Sequence, residues 1–130
     1  MALQVWLPLN GTLENKGLSN VTVTNNGATV DNNGKIGKCY HFNSNTLIFP
    51  TSFTGKSICF WIKASKTNST IAFVDYNSQL AFGFYNGTIL ASSNLPTLQF
   101  NSSAFIANAW NHVTIIRQTS DVDLYINGEK

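Results

Sequence analysis

Hydrolysis of a glycosidic bond needs two carboxyl groups about 5–10 Å apart across the sugar. The chain has six acids, Glu14, Asp31, Asp75, Asp121, Asp123 and Glu129. None forms the E-x-D-x-E run that would line three carboxylates along one strand face. Asp121 and Asp123 alternate, but at a turn and a strand start, where Asp serves local backbone hydrogen bonding. Nucleophilic catalysis has no better support. The two histidines, His41 and His112, stand far apart in the sequence, and no G-x-S-x-G elbow occurs. Cys39 and Cys59 fit no zinc or redox spacing and read as small core residues. A disulfide between them would require neighbouring strands. Calcium wants six to eight oxygens, several of them carboxylate. Asp31-Asn32-Asn33 and the Asp75/Asn77 turn are oxygen-rich but acid-poor, so both read as ordinary turns. No cofactor is expected, calcium remaining a weak alternative, and the chain is not expected to be an enzyme.

Binding is the chemistry left. A sugar offers an apolar C–H face and a rim of hydroxyls, so its sites combine aromatic rings with amide and carboxylate groups. In SICFWIKA, Ile58, Phe60 and Ile62 share one face and Trp61 projects from the other. In QLAFGFYN, Leu80, Phe82 and Phe84 point inward and Tyr85 outward. Tyr76 and Asp75 lie on the adjoining turn. Trp61, Tyr76, Tyr85 and Asp75 are therefore the candidate ligand-binding residues. Trp6 also stands opposite the apolar stripe of its segment.

Such residues need a scaffold, and the pattern is one of strands. Alternation at Leu3, Val5, Leu7 and Leu9, then at 21–24, in SICFWIKA, STIAFVDY, QLAFGFYN, GTILASS, HVTIIRQ and VDLYI, has a period of two. Gly, Asn, Asp, Ser and Pro clusters separate these runs at intervals of roughly 8–12 residues, as in sandwiches and barrels. The only helix-like stretch is a turn near 103–108. With 130 residues the chain is long enough for one domain and its core. The expected fold is all-β, an antiparallel two-sheet β-sandwich, with the doubly apolar SICFWIKA strand at the centre of a sheet. Charged residues make up 11%, against about 25% in typical soluble domains, so Asn, Ser and Thr form the surface. The eight Lys and Arg are scattered and the net charge is +2, which argues against a nucleic-acid stripe or a polybasic membrane patch. No run approaches the roughly 18 apolar residues of a membrane helix. The N-terminus lacks the charged and apolar regions of a signal peptide. Five N-x-S/T sequons occur in the sequence, where so Asn-, Ser- and Thr-rich a chain supplies roughly three or four by chance, and they are discounted as glycosylation sites.

Three segments, in order, carry a family likeness: LPLNGTLENKGLSN, GKIGKCYHF followed by SICFWIKA, and WNHVTIIRQTSDVDLYINGEK. Together they resemble the laminin-G-like, concanavalin-A-like jelly-roll domains of bacterial and phage proteins, over nearly the whole of residues 1–130. The resemblance implies a hairpin whose first strand carries Trp110 and His112 and whose second ends in the Asn127-Gly128 turn. It also implies a structural, core role for His112. Family members continue past that turn with returning and closing strands. The expectation is thus a sandwich lacking its C-terminal closing strands, either trimmed or completed by self-association or a partner chain. The N-terminal style further resembles prophage domains in virion or tail proteins.

The function these readings imply is a non-catalytic recognition and adhesion module for a glycan or cell-surface polysaccharide, on a virion or a cell surface. The alternative is a structural or assembly domain of a phage particle that binds protein. Neither reading includes nucleic acid or membrane insertion.

Overall fold

Alternating β-branched and aromatic residues give a pleated strand one apolar face, and that face must be buried against another layer. The computed structural model describes residues 5–48, 57–65, 70–75, 80–85, 88–93, 98–100, 103–118 and 122–130. No helix occurs among them, and every strand pair is antiparallel. The chain divides into two compact units, Met1–Thr51 and Ser52–Lys130.

The first unit is built from turns and short ladders. Its strands are β1 (Thr24–Asn26), β2 (Thr29–Asp31), β3 (Cys39–His41) and β4 (Thr46–Ile48). β1 pairs with β4, and β2 with β3. Asn side chains replace backbone partners here. Asn25 Oδ1 accepts from the Ala28 N–H and its Nδ2 donates to the Ala28 carbonyl, each at 2.8 Å. These two hydrogen bonds close the turn between β1 and β2. The alternation at the N-terminus does not become a strand within the described residues. Leu9 takes φ 53°, Pro8 has no N–H to give a ladder, and Trp6 finds local partners instead. Its N–H donates to Asn15 Oδ1 and its carbonyl accepts from the Lys16 N–H, both at 2.8 Å.

The second unit has two layers. β5 (Ser57–Lys63), β10 (Trp110–Arg117) and β11 (Val122–Ile126) form a three-stranded sheet in the order β11-β10-β5. β6 (Thr70–Asp75), β7 (Leu80–Tyr85), β8 (Thr88–Ser93) and β9 (Leu98–Phe100) form a four-stranded meander in chain order. Phe82, Phe84, Ile89 and Ala91 of the meander bury themselves in one cluster with Val113, Ile115, Val122, Leu124 and Ile126 of the other sheet. Aromatic edges tie the core together: Phe60 meets Phe82 across the two sheets at 5.6 Å between ring centres, and Phe84 meets Phe105 of the loop before β10 at 4.9 Å. This is a two-sheet sandwich, as the alternation predicted.

Two expectations about placement are corrected. β5 was expected at the centre of a sheet, covered on both faces; among the described residues it is an edge, and β10 holds the centre. Its second face is exposed along Ser57, Cys59, Trp61 and Lys63. Apolar groups on two faces of a strand need not both be covered, because a single exposed ring costs little. Cys59 was expected in the core and lies on that exposed face, while Cys39 is half-buried in β3.

Beneath the start of β10 lies a polar knot. Asn111 is fully buried. Its Oδ1 accepts from the Ile106 N–H at 2.9 Å and from Asn127 Nδ2 at 3.0 Å. Its Nδ2 donates to the carbonyls of Ile106 and Ala109 at 2.8 and 2.9 Å. An amide has two donors and two acceptor lone pairs, and all four are used. Asn127 extends the knot: Oδ1 accepts from the His112 N–H at 2.9 Å, and Nδ2 also reaches the Ala104 carbonyl at 2.8 Å. Asn127 and Gly128 then turn the chain with φ of 52° and 88°. Ile126 and Glu129 exchange both backbone bonds, at 2.8 and 2.9 Å. This is the type I′ turn that an Asn-Gly pair favours, because both central residues need positive φ.

Candidate functional site

Parity decides what the three-stranded sheet shows to solvent. Val113 and Ile115 face the core, so Trp110, His112, Thr114 and Ile116 face outward and are half-buried. On β11 the outward residues are Asp123 and Tyr125. Register then assembles the face: His112 stands opposite Trp61, Trp110 opposite Lys63, and Thr114 between Cys59 and Tyr125. Three strands make the face about 10 Å wide and seven residues of β5 make it about 20 Å long, which accommodates a few sugar rings.

The centre of this face is aromatic. Trp61 is 45% exposed, and its ring meets the His112 ring edge-on, 5.0 Å between centres at 62°. Toward β11 the face becomes polar. Asp123 Oδ1 lies 2.6 Å from Lys130 Nζ, and its Oδ2 accepts from Gln118 Nε2 at 2.7 Å. Lys130 Nζ also stands 6.0 Å from the centre of the Tyr125 ring. The bond to Lys130 and then that to Gln118 hold the Asp123 carboxyl below the ordinary carboxylate range. An acid depressed in the folded chain contributes stability that is complete above its unfolded pKa and is lost as pH falls through the folded one. Acidification below about pH 4 is therefore expected to lower the melting temperature, with Asp31 contributing in the same sense. The Asp31 carboxyl is held down chiefly by the Asn33 backbone N–H and then by the Asn33 side chain. Melting curves of Asp123→Asn should show a shallower acid limb than wild type; an identical limb would remove Asp123 from this role.

The residues proposed from sequence do not gather in one place. Trp61 lies on the outward face of β5, in the three-stranded sheet. Asp75 ends β6 opposite Leu80, and Tyr85 ends β7 opposite Thr88, at opposite ends of the other sheet. Tyr76 lies outside the described residues, as does Asp121. His112, expected as a core residue, is half-buried on the outward face and contacts Trp61. The inward positions in W-N-H-V are Asn111 and Val113. Asn127 and Gly128 form the turn expected of them. Asp123 was expected to serve the backbone and instead bonds two side chains. Asp31 Oδ1 accepts from the Asn33 N–H and Asn33 Nδ2, both at 2.8 Å, which makes it part of an Asx turn. Among the described residues no three His, Cys, Asp or Glu side chains come together as a metal site would require. A shallow cavity of about 310 Å³ opens in the first unit, lined by Leu13, Glu14, Asn15 and residues 19–23; no aromatic ring lines it.

Two antiparallel sheets packed over one apolar core place the second unit in the class of β-sandwich proteins. A family model of laminin-G type, described as the concanavalin A-like lectin/glucanases superfamily, matches residues 40–130, and the chain belongs to that superfamily. The match runs from within β3 through β11 and so includes the whole outward face. No curated protein and no solved structure matches the chain. Among the described residues no helix is long and apolar enough to cross a membrane.

Proposed function

We propose that this chain is a non-catalytic carbohydrate-recognition module, and that the outward face of β5, β10 and β11 is its ligand platform. The observation that carries the reading is the exposed Trp61 ring on β5, braced by His112 of the central strand. A pyranose laid on Trp61 buries its C–H face on the indole. Sugars linked to it along the face would reach Thr114 and Tyr125, and farther on Asp123 and Gln118, which can donate and accept on the β11 side. Membership of a lectin/glucanase superfamily fits a sugar as ligand, and the absence of an alternating acid triplet from the sequence fits binding without cleavage. A platform of one exposed ring gives weak single-site affinity, which repeated display on a phage virion, tail or bacterial surface raises by avidity. That setting is part of the proposal.

A second reading, protein binding in particle assembly, rests on the first unit, where Leu18 and Ile36 are 74% and 82% exposed. Exposed apolar side chains of this kind mark protein contacts when they form a patch. A multivalent display of the chain on a glycan array, alongside sedimentation of the untagged chain, separates the two. Saccharide hits from a monomeric chain support the platform. An array without hits, together with concentration-dependent association, replaces it with the assembly reading.

A further inference from the structure

Charge on the platform is uneven, and the imbalance selects a ligand class. Asp123 is its only described carboxylate, and that group is already bonded to Lys130 and Gln118. Lys63 stands at the other end of the face, exposed, two residues along β5 from Trp61 and directly opposite Trp110. No carboxylate pairs with its ammonium group among the described residues. Residues i and i+2 of a strand share a face and lie about 7 Å apart, which is within the span of a single pyranose and its exocyclic group. A ligand stacked on Trp61 thus places its substituents near the Lys63 ammonium, which pairs with no described carboxylate, and beside Trp110.

We infer that the platform takes acidic saccharides, with Lys63 pairing a ring-borne carboxylate while Trp61 carries the sugar face. This rests on the reading of the platform given above and adds to it the identity of the charged group. The carboxylate gains a charge-assisted hydrogen bond, and no described acid has to be displaced from Lys63. Lys130 does not serve in this way, because an incoming anion would have to take it from Asp123.

The test titrates the full chain with a glucuronate-containing oligosaccharide and with the same oligosaccharide after reduction of its carboxyl groups, followed by calorimetry and indole fluorescence. About five-fold tighter binding of the carboxylated form is expected, from the strength of an exposed ion pair. That preference should shrink as salt rises from 0.05 to about 0.5 M, vanish in Lys63→Gln and survive in Lys63→Arg. Equal affinity for both oligosaccharides, or an undiminished preference in Lys63→Gln, overturns the inference and leaves the platform standing. No binding of either, with no hits for neutral sugars, overturns both. Circular dichroism of Lys63→Gln, a change at an exposed position, checks that the variant is folded.

Discussion

Replacing Asn111 by Leu is expected to destabilise the chain by about 3–4 kcal/mol, although the substitution makes a buried position more apolar. Leu approximates the size of Asn but none of its bonding. The Ile106 N–H, the Ile106 and Ala109 carbonyls and the Asn127 amide all point at Asn111. Each buried group left without a partner costs about 1–3 kcal/mol, and the loop cannot turn them all to water while Phe105 stays packed on Phe84. Hydrophobic gain from the new side chain offsets part of this, at about 25 cal/mol per Å². The melting temperature should fall by about 10–15 °C, given the entropy of unfolding for a chain of this size. Asn127→Ala removes three bonds, to Asn111, the Ala104 carbonyl and the His112 N–H. It should nevertheless cost less, because Asn127 is exposed, water can replace it, and Asn111 stays bonded to the 106–109 loop. The two changes should not add in a double-mutant cycle, since they share a hydrogen bond. A loss under about 1 kcal/mol in Asn111→Leu would mean that the knot is not what fixes the start of β10.

Trp61→Ala is expected to do the reverse, with little effect on folding and a large one on binding. The ring is nearly half exposed, and its neighbour His112 belongs to a strand anchored by Val113 and Ile115 on the far side. Its removal should cost under about 1 kcal/mol of stability, as surface changes do. A sugar stacked on it loses the buried area of one indole face and the ring contact, together about 2 kcal/mol. This corresponds to about a 30-fold weaker dissociation constant. Trp61→Phe should keep most of the affinity, because a flat apolar face remains. Calorimetry with whichever saccharide the array identifies, beside melting curves of both variants, checks the pair of effects. Affinity of Trp61→Ala within two-fold of wild type would remove Trp61 from the platform.

The strands were legible because their alternation is strict: β5, β7, β8, β10 and β11 all fall where period two places them. Opposite faces were legible for the same reason, so Phe82 and Phe84 lie inward and Trp61 outward as expected. Order within the sheet was not. Apolar side chains on both faces of SICFWIKA suggested a central strand, whereas pairing depends on partners far away in the chain. Asn111 was missed although parity could have found it. Val113 and Ile115 define the inward face of β10, and counting back by two reaches Asn111, not His112. The motif's aromatic and ionisable members drew the reading, while the residue that bonds four groups looked like a surface amide. The same count places His112 beside Trp61, a pairing fixed by the β5–β10 register and invisible along the sequence. The sequence-derived site drew on turns of the other sheet, where Asp75 and Tyr85 end their strands about 17 Å apart along the strand direction.

Cys59 offers a direct probe of which face meets the ligand. It is an exposed thiol two residues from Trp61 on the same side of β5, whereas Cys39 lies in the first unit. Iodoacetamide labelling of both thiols, timed by mass spectrometry with and without a saturating saccharide, reads that face without any substitution. Slower labelling of Cys59, at least three-fold, with an unchanged rate at Cys39, is the result predicted for a sugar seated on β5, β10 and β11. Labelling of Cys59 at the same rate in the saturated complex would place the sugar elsewhere and contradict the assignment.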